Sequence, residues 1–433
     1  MRVLIVGASG FVGRHLVGRL TGDGIDVVVA GRSRERLQQM FPGLAVQPCD
    51  LGRDTAQDWQ SRLSGIDAVV NLAGLIRDSR GASFETVHEH GAMALFDGCL
   101  TAGVRRVVQV SALGADETGF TRYHRSKKAA DDHLAALDPQ GRRMDWAVLR
   151  PSLLIGPGGQ TKELLSALGA APLPLRMGPG TWMLQPIHVD DLVEAIARLL
   201  RRAEPFARRV DVVGPEPMST DAVTLALRRW LGLRPAPFLP LPRWVLALAA
   251  WAGDRIGLGS ATRESLAMLE AGNTAPVAPF VRAFGFVPRA LPAALARHPA
   301  TQADLWAARL LFVRDPLRIL LALMWIWTAI VSLGLYPLAE SYALLARVGI
   351  TGALAPLALY GAAALDLVLG LALLMRWRPA LVGALQIVLM LGYTALITAF
   401  LPELWLHPFG PVSKNLAVAG ATLAMMALEA EHG

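Results

Sequence analysis

Apolar residues follow two different rhythms along this chain. Up to residue 300 they form short runs closed by turn residues and separated by helical stretches. Val3-Leu4-Ile5-Val6, Ile25 to Ala30, Leu44 to Gln47, Asp67 to Val70, Arg106 to Val110 and Asp145 to Leu149 read as strands. Repeated strand–helix units predict a parallel, doubly wound sheet with its sites at the strand C-terminal ends, where Asp50, Asn71, Ser111 and Arg150 fall. Beyond residue 317 the pattern changes to long stretches almost free of charge. Ile319 to Leu338, Gly352 to Met375 (whose one acid is Asp366) and Ala380 to Leu401 are each long enough to cross about 30 Å of hydrocarbon. A fourth stretch, Val412 to Leu428, is shorter and carries Lys414 near its start. The expected fold is an α/β Rossmann domain with a smaller substrate region over residues 1–300, then an all-α four-helix transmembrane domain over residues 301–433.

The first strand runs directly into Gly7-Ala8-Ser9-Gly10-Phe11-Val12-Gly13, and a helix follows from Arg14. Glycines at 7, 10 and 13 let the backbone turn tightly and approach a pyrophosphate, and the helix N-terminus offers free N–H groups to that charge. This is a dinucleotide cradle; a purely structural turn is the alternative. The second strand ends in Gly31-Arg32, with no acid at the position that faces the adenosine ribose. An arginine there suits the 2′-phosphate of NADP, so NADP is favoured over NAD. Solvated loop charge is the competing reading of Arg32.

Ser111 closes one strand, and Tyr123 and Lys127 sit four residues apart near the start of a helix, on one face. A cation beside a phenol favours the phenolate and brings it towards acid–base use. A serine hydroxyl can hold a substrate oxygen beside that phenol while a nicotinamide exchanges hydride. As an isolated pair, Tyr123 and Lys127 could equally be surface residues.

With Gly7-x-x-Gly10-x-x-Gly13, Asp50-Leu51, Asn71-Leu72-Ala73-Gly74, Ser111 and Tyr123-x-x-x-Lys127, the chain resembles the extended, epimerase-like branch of the short-chain dehydrogenase/reductases over residues 1–295. The resemblance implies cofactor contacts at Gly7, Ser9, Gly10, Phe11, Val12, Gly13, Arg32, Asp50, Leu51 and Ala73. It implies a Ser111–Tyr123–Lys127 catalytic set, with Lys127 also holding the nicotinamide ribose. Val110 to Ala115 resembles the group related to the nucleotide-binding accessory subunit of respiratory complex I. One position departs: His88 stands where extended members place an asparagine, so it either joins a proton relay or marks a site relaxed from catalysis. His88 and His90 lack the carboxylate or cysteine partners of a metal site, and no metal is expected. The C-terminal stretches, with His407-Pro408-Phe409-Gly410-Pro411 before the last, are similar to the DoxX-like membrane family.

Composition adds location. The chain is 53% hydrophobic with net charge +7, and carries only Cys49 and Cys99, which leaves no disulfide framework. Met1-Arg2 leads straight into the first strand, so no signal peptide is expected, and Arg309, Arg314, Arg318, Arg376 and Arg378 flank one side of the expected spans. By the positive-inside rule the nucleotide domain and both termini are expected in the cytoplasm, on a multi-pass inner-membrane protein. The expected partners are the lipid bilayer, a hydrophobic small-molecule substrate and a membrane complex; no nucleic-acid motif accompanies the charge. Trp244 to Trp251 reads either as an interfacial helix or as a core helix. Asp366 is open to use as a proton or head-group contact, or as an interhelical hydrogen bond. The activity expected is reduction or oxidation of a hydrophobic carbonyl, quinone or lipid-borne group. A non-catalytic NADP(H) sensor or assembly factor is the alternative.

Overall fold

The computed structural model describes residues 1–75, 77–78, 81–256 and 262–429. The chain divides into two units, Met1–Ala308 and Arg309–Gly433. The first is built on seven strands: β1 (Arg2–Val6), β2 (Asp26–Gly31), β3 (Ala45–Pro48), β4 (Ala68–Asn71), β5 (Arg106–Val110), β6 (Asp145–Pro151) and β7 (Arg208–Val212). Their order is β3-β2-β1-β4-β5-β6-β7, with every neighbour parallel. Strand order reverses between β1 and β4, where Val6 lies opposite Asn71, so a crevice opens at their C-terminal ends.

Six of these strands were expected. β7 was not, because Arg208 and Arg209 look like surface charge. Both are exposed on an edge strand, while Val210 and Val212 behind them are buried. Alternation sends β1 side chains to two cores. Val3 and Ile5 pack with Leu16 and Leu20 of α1 (Phe11–Gly22), and Leu4 and Val6 pack with Trp59 and with Phe96 of α2 (Gly91–Ala102). α3 (Arg122–Leu137) starts at Thr121, whose hydroxyl accepts from His124 N at 3.1 Å. α4 (Val189–Arg201) adds Leu192 and Ile196 to the first core. α5 (Arg243–Ile256) buries Ala250 but leaves Trp244, Leu248 and Trp251, one stripe at i, i+4 and i+7, 68%, 55% and 42% exposed. The core-helix reading of this segment therefore fails for that stripe.

The second unit is helical. α6 (Gln302–Ile330), which belongs to this unit from Arg309 on, starts far upstream of the expected Ile319, because the charged residues before it are helical too, and it continues as a π-turn over Val331–Leu335. α7 (Leu354–Leu374) and α8 (Pro379–Phe400) match the second and third expected spans closely. These three are long and apolar enough to cross a membrane. The fourth, α9 (Lys414–Glu429), has 16 residues, about 24 Å at 1.5 Å per residue. Its described part is short of the hydrocarbon thickness, and it is not among the three described helices long and apolar enough to cross a membrane. It packs antiparallel along α8: Asn415 Nδ2 donates to Thr394 Oγ1 at 2.8 Å, and a Cβ on Gly383 would come within 2.6 Å of Met426. Residues 430–433, expected to face the cytoplasm, lie outside the described residues.

Glu429 gathers Arg314 at 3.2 Å, Arg376 at 2.9 Å and Arg318 at 3.5 Å, and Arg318 also donates to Leu373 O and Leu374 O at the end of α7. Three of the arginines used to argue orientation therefore also join helix ends.

Candidate nucleotide and catalytic site

The turn after β1 has the geometry of a phosphate cradle. Gly7 has φ +81° and donates to Ala30 O at 3.1 Å, and Gly10 N donates to Gly7 O at 3.0 Å. A Cβ on Gly7 would lie 2.9 Å from Ala73 N, and one on Gly13 would lie 2.4 Å from Gly7 O. No side chain fits at either place, so the glycines are sterically required. α1 begins at Phe11 without a side-chain cap at Gly10, which leaves its first N–H groups free for an anion. Ser9, Phe11 and Val12 line this loop only partly buried. The Phe11 ring sits against Gly156 and Gly159, where added Cβ atoms would come within 3.3 Å and 3.0 Å of it. These features fit a dinucleotide.

Asp50 shapes its own turn by accepting from Gly52 N at 3.0 Å, and Leu51 is packed into the core beneath. Ala73 N donates to Asn71 Oδ1 at 3.2 Å. Arg32 directly follows β2, is exposed, and has no partner among the described residues.

The α3 face brings the catalytic candidates close to this crevice and adds a residue that motif reading passed over. Lys127 is buried, with Nζ donating to Val110 O at 3.2 Å and to Ala73 O at 3.3 Å, at the ends of β5 and β4. Asp131, one turn further along α3, is fully buried. Its Oδ2 accepts from Ser111 Oγ at 2.6 Å and lies 3.6 Å from Arg150 Nε. Burial raises the Asp131 carboxyl against the opposing pull of Ser111, Arg150 and Lys127. Burial also lowers the Lys127 ammonium, and Asp131 resists that. Two Arg150 nitrogens, Nε and Nη2, are buried without a hydrogen bond among the described residues. The signal for Asp131 was its spacing, i+4 from Lys127 and i+8 from Tyr123.

Two expectations change here. Ser111 was expected to hold a substrate oxygen; here its hydroxyl donates to Asp131. Lys127 was expected to lower Tyr123. Burial instead pushes the phenol up to about 12, and the field of Asp131 adds to this. Lys127 Nζ is held by two carbonyls, and its charge does not offset the effect of burial on the phenol.

His88 has a defined place. It lies in a π-helical turn, Glu85–His90, stacked on Phe84 and edge-on to Tyr123, with ring centroids 5.4 Å apart in each case. Nε2 accepts from Leu75 N at 2.7 Å. Nδ1 is 3.2 Å from Ser126 Oγ, which itself donates to Tyr123 O. The neutral tautomer with the proton on Nδ1 satisfies all three contacts. Burial, then the Lys127 charge, pushes the imidazole down to about 2. Both nitrogens are committed, so the ring is built as a brace beside Tyr123 rather than as a proton relay.

Elsewhere, His188, Asp190 and His298 place three ligand-type atoms within 4.8 Å of one another, a spacing that could hold a metal ion. That set was missed because His298 is distant in sequence. In the structure it closes the start of α4: His188 Nδ1 accepts from Asp190 N at 3.3 Å, and Asp190 Oδ2 takes His298 Nε2 at 3.0 Å.

Known proteins resemble the two units separately. Residues 7–170 match the NAD(P)H-binding family model and residues 322–423 the DoxX-like family model. A ceramide reductase of Caulobacter vibrioides is 32% identical over 201 residues, 46% of this chain and 61% of that protein. Subunit 9 of the NADH dehydrogenase [ubiquinone] 1 alpha subcomplex of Arabidopsis thaliana is 28% identical over 229 residues, 50% of this chain and 54% of that protein. The chain thus spans less than two thirds of either relative. Among solved structures, the UDP-glucuronic acid 4-epimerase of Bacillus cereus superposes with TM-score 0.53 at 16% identity, covering 72% of this chain and 100% of that one. An NADPH-dependent quinone oxidoreductase of Escherichia coli gives 0.51 at 16% identity, over 68% of this chain and 98% of that one. At those identities the likeness is one of fold.

Proposed function

We propose that this chain, an NAD(P)-binding epimerase-like domain joined to a DoxX-like domain, is a membrane-anchored NADP(H)-dependent oxidoreductase acting on a hydrophobic, lipid-borne carbonyl. The observation that carries the reading is the buried Ser111–Asp131 hydrogen bond and the buried Lys127, held by Val110 O and Ala73 O one turn away on the same helix, set beside a glycine cradle that fits a dinucleotide. Bound NADPH would supply hydride to the carbonyl carbon. Tyr123, protonated at neutral pH, gives its Oη proton to the carbonyl oxygen. The phenolate left behind is one helical turn from the Lys127 ammonium, which Val110 O and Ala73 O hold in place. Ser111 fixes Asp131, and Asp131 keeps Lys127 charged in a buried setting. Arg32, exposed and without a partner among the described residues, supports NADP, whose 2′-phosphate it would meet. A lipid-borne substrate is supported by the exposed Trp244–Leu248–Trp251 stripe, by the membrane-length helices and by similarity to the ceramide reductase.

The arginines at Glu429 and at 309 and 378 favour a cytoplasmic nucleotide unit in the inner membrane. A reporter fused near Glu340 then reads as non-cytoplasmic. The decisive experiment is turnover: detergent-purified protein, given NADPH and a long-chain ketolipid, should consume both. The second reading, a non-catalytic NADP(H) sensor or assembly factor of a membrane complex, is favoured by the Ser111 proton being committed to Asp131 and by similarity to the complex I subunit. Cofactor binding without turnover on any lipid-soluble carbonyl or quinone selects it.

A further inference from the structure

Inside the second unit, buried polar side chains from different helices fall at one level by the register of the helices. Leu321, Trp325, Leu369, Val382 and Met425 form one buried cluster drawn from α6, α7, α8 and α9. The helices alternate in direction, as Arg318 at the end of α7, Gly370 against Ala322 and Ile326, and Gly383 against Met425 and Met426 require. One turn from this cluster, on the same side, α7 carries Asp366, α8 Gln386 and α9 Thr422, which are 4%, 0% and 1% exposed. The indole of Trp325 borders the same level from α6.

Thr422 is satisfied by Val418 O within its own helix. The others are not. Asp366 Oδ1, both ends of the Gln386 amide and Trp325 Nε1 are buried without a partner among the described residues. Interhelical hydrogen bonding, one reading of Asp366, does not occur at that oxygen. A buried polar group left unpaired costs roughly 1–3 kcal/mol by mutational measures and more where no water competes. Four such atoms therefore sit at one level of the bundle, in contrast to Asn415, Thr394 and Thr422, whose side chains have partners.

We propose that this layer binds the head of a neutral amphiphile that both accepts and donates hydrogen bonds, a hydroxyl- or amide-bearing lipid. Trp325 Nε1 and Gln386 Nε2 donate to its oxygen, and Gln386 Oε1 and Asp366 Oδ1 accept from its O–H or N–H. A neutral head goes with a protonated Asp366 carboxyl, so that the layer carries no net charge. The next turn along is Ala329, Ala363 and Met390, all buried, two of them small and one flexible. The proposal does not depend on the chemistry of the nucleotide unit.

Full-length protein in nanodiscs is photolabelled with a diazirine fatty amide, a diazirine fatty alcohol and a headless diazirine alkane. The expected result is that the amide and alcohol label α7 and α8 peptides at least about fivefold above the alkane, a factor that one or two retained hydrogen bonds supply. In Gln386→Leu the ratio falls to one, while the melting temperature holds or rises because an unpaired amide has gone. If Gln386→Leu fails to fold, Trp325→Phe, which deletes only one donor, must still reduce the ratio. Equal labelling by all three probes in the native protein means that the layer holds water or nothing, and overturns the proposal. So does a preference unchanged by either substitution.

Discussion

Leu4 and Ile5 in the nucleotide unit are fully buried, whereas Leu357 and Val388 in the membrane unit are 70% and 68% exposed. The polar residues reverse the pattern. Arg32 is exposed, while Asp366, Gln386, Arg318 and Glu429 are buried. Each unit hides what its surroundings cannot solvate. Water drives apolar side chains inward, whereas lipid tails are as apolar as leucine and leave only polar groups in need of partners. The buried polar groups of the two units differ as well. His88 has a partner at each nitrogen, and the Ser111 proton goes to Asp131. In the membrane layer four atoms have none among the described residues.

The largest effect that would sharpen the contrast is chemical. Tyr123→Phe removes one hydroxyl from the nucleotide unit and should cut turnover about 10²–10⁴-fold, with NADPH affinity nearly unchanged. Full activity in that variant breaks the catalytic assignment. Stability gives the next test. Leu4→Ala should destabilise the first unit by about 2–5 kcal/mol. Leu357→Ala, which trades lipid contact for lipid contact, should move the second unit by less than about 1 kcal/mol. Thermal proteolysis followed at sites in each unit measures both, and equal losses would erase the distinction.

Arg32→Glu should narrow or invert the preference for NADPH over NADH, a change of about tenfold for one charged contact, read by titrating both cofactors. Equal native affinities would remove Arg32 from the site. The smallest effect is pH dependence. The folded His88 imidazole is pushed down to about 2 from an ordinary 6.5. Between those values the unfolded chain binds the extra proton, so stability should fall as pH drops below about 6.5 and be fully present above it. The acid-side loss in melting temperature should be shallower in His88→Asn than in the native protein, and an identical slope refutes the brace.

Similarity to known proteins follows the same division. The glycine cradle, the parallel strand–helix alternation and the three long spans were legible because each is local: a loop that admits only glycine, a period of two, an unbroken apolar run. β7 was not legible, since its arginines look like surface charge until an edge position lets them be exposed. The short α9 lay within the expected stretch, but its packing along α8 is a property of the bundle.

The sequence by itself determined the two environments, the order of the elements and the residue types that could do chemistry, because these depend on neighbours a few positions apart. Only the tertiary structure decided what those residues do. It turned Ser111 to Asp131, held Lys127 between two strand ends, and set His88 against Leu75 and Ser126. It also brought Trp325, Asp366 and Gln386 to one level. Burial and hydrogen-bond partners come from segments tens of residues apart, and no pattern along the chain encodes the distance between them.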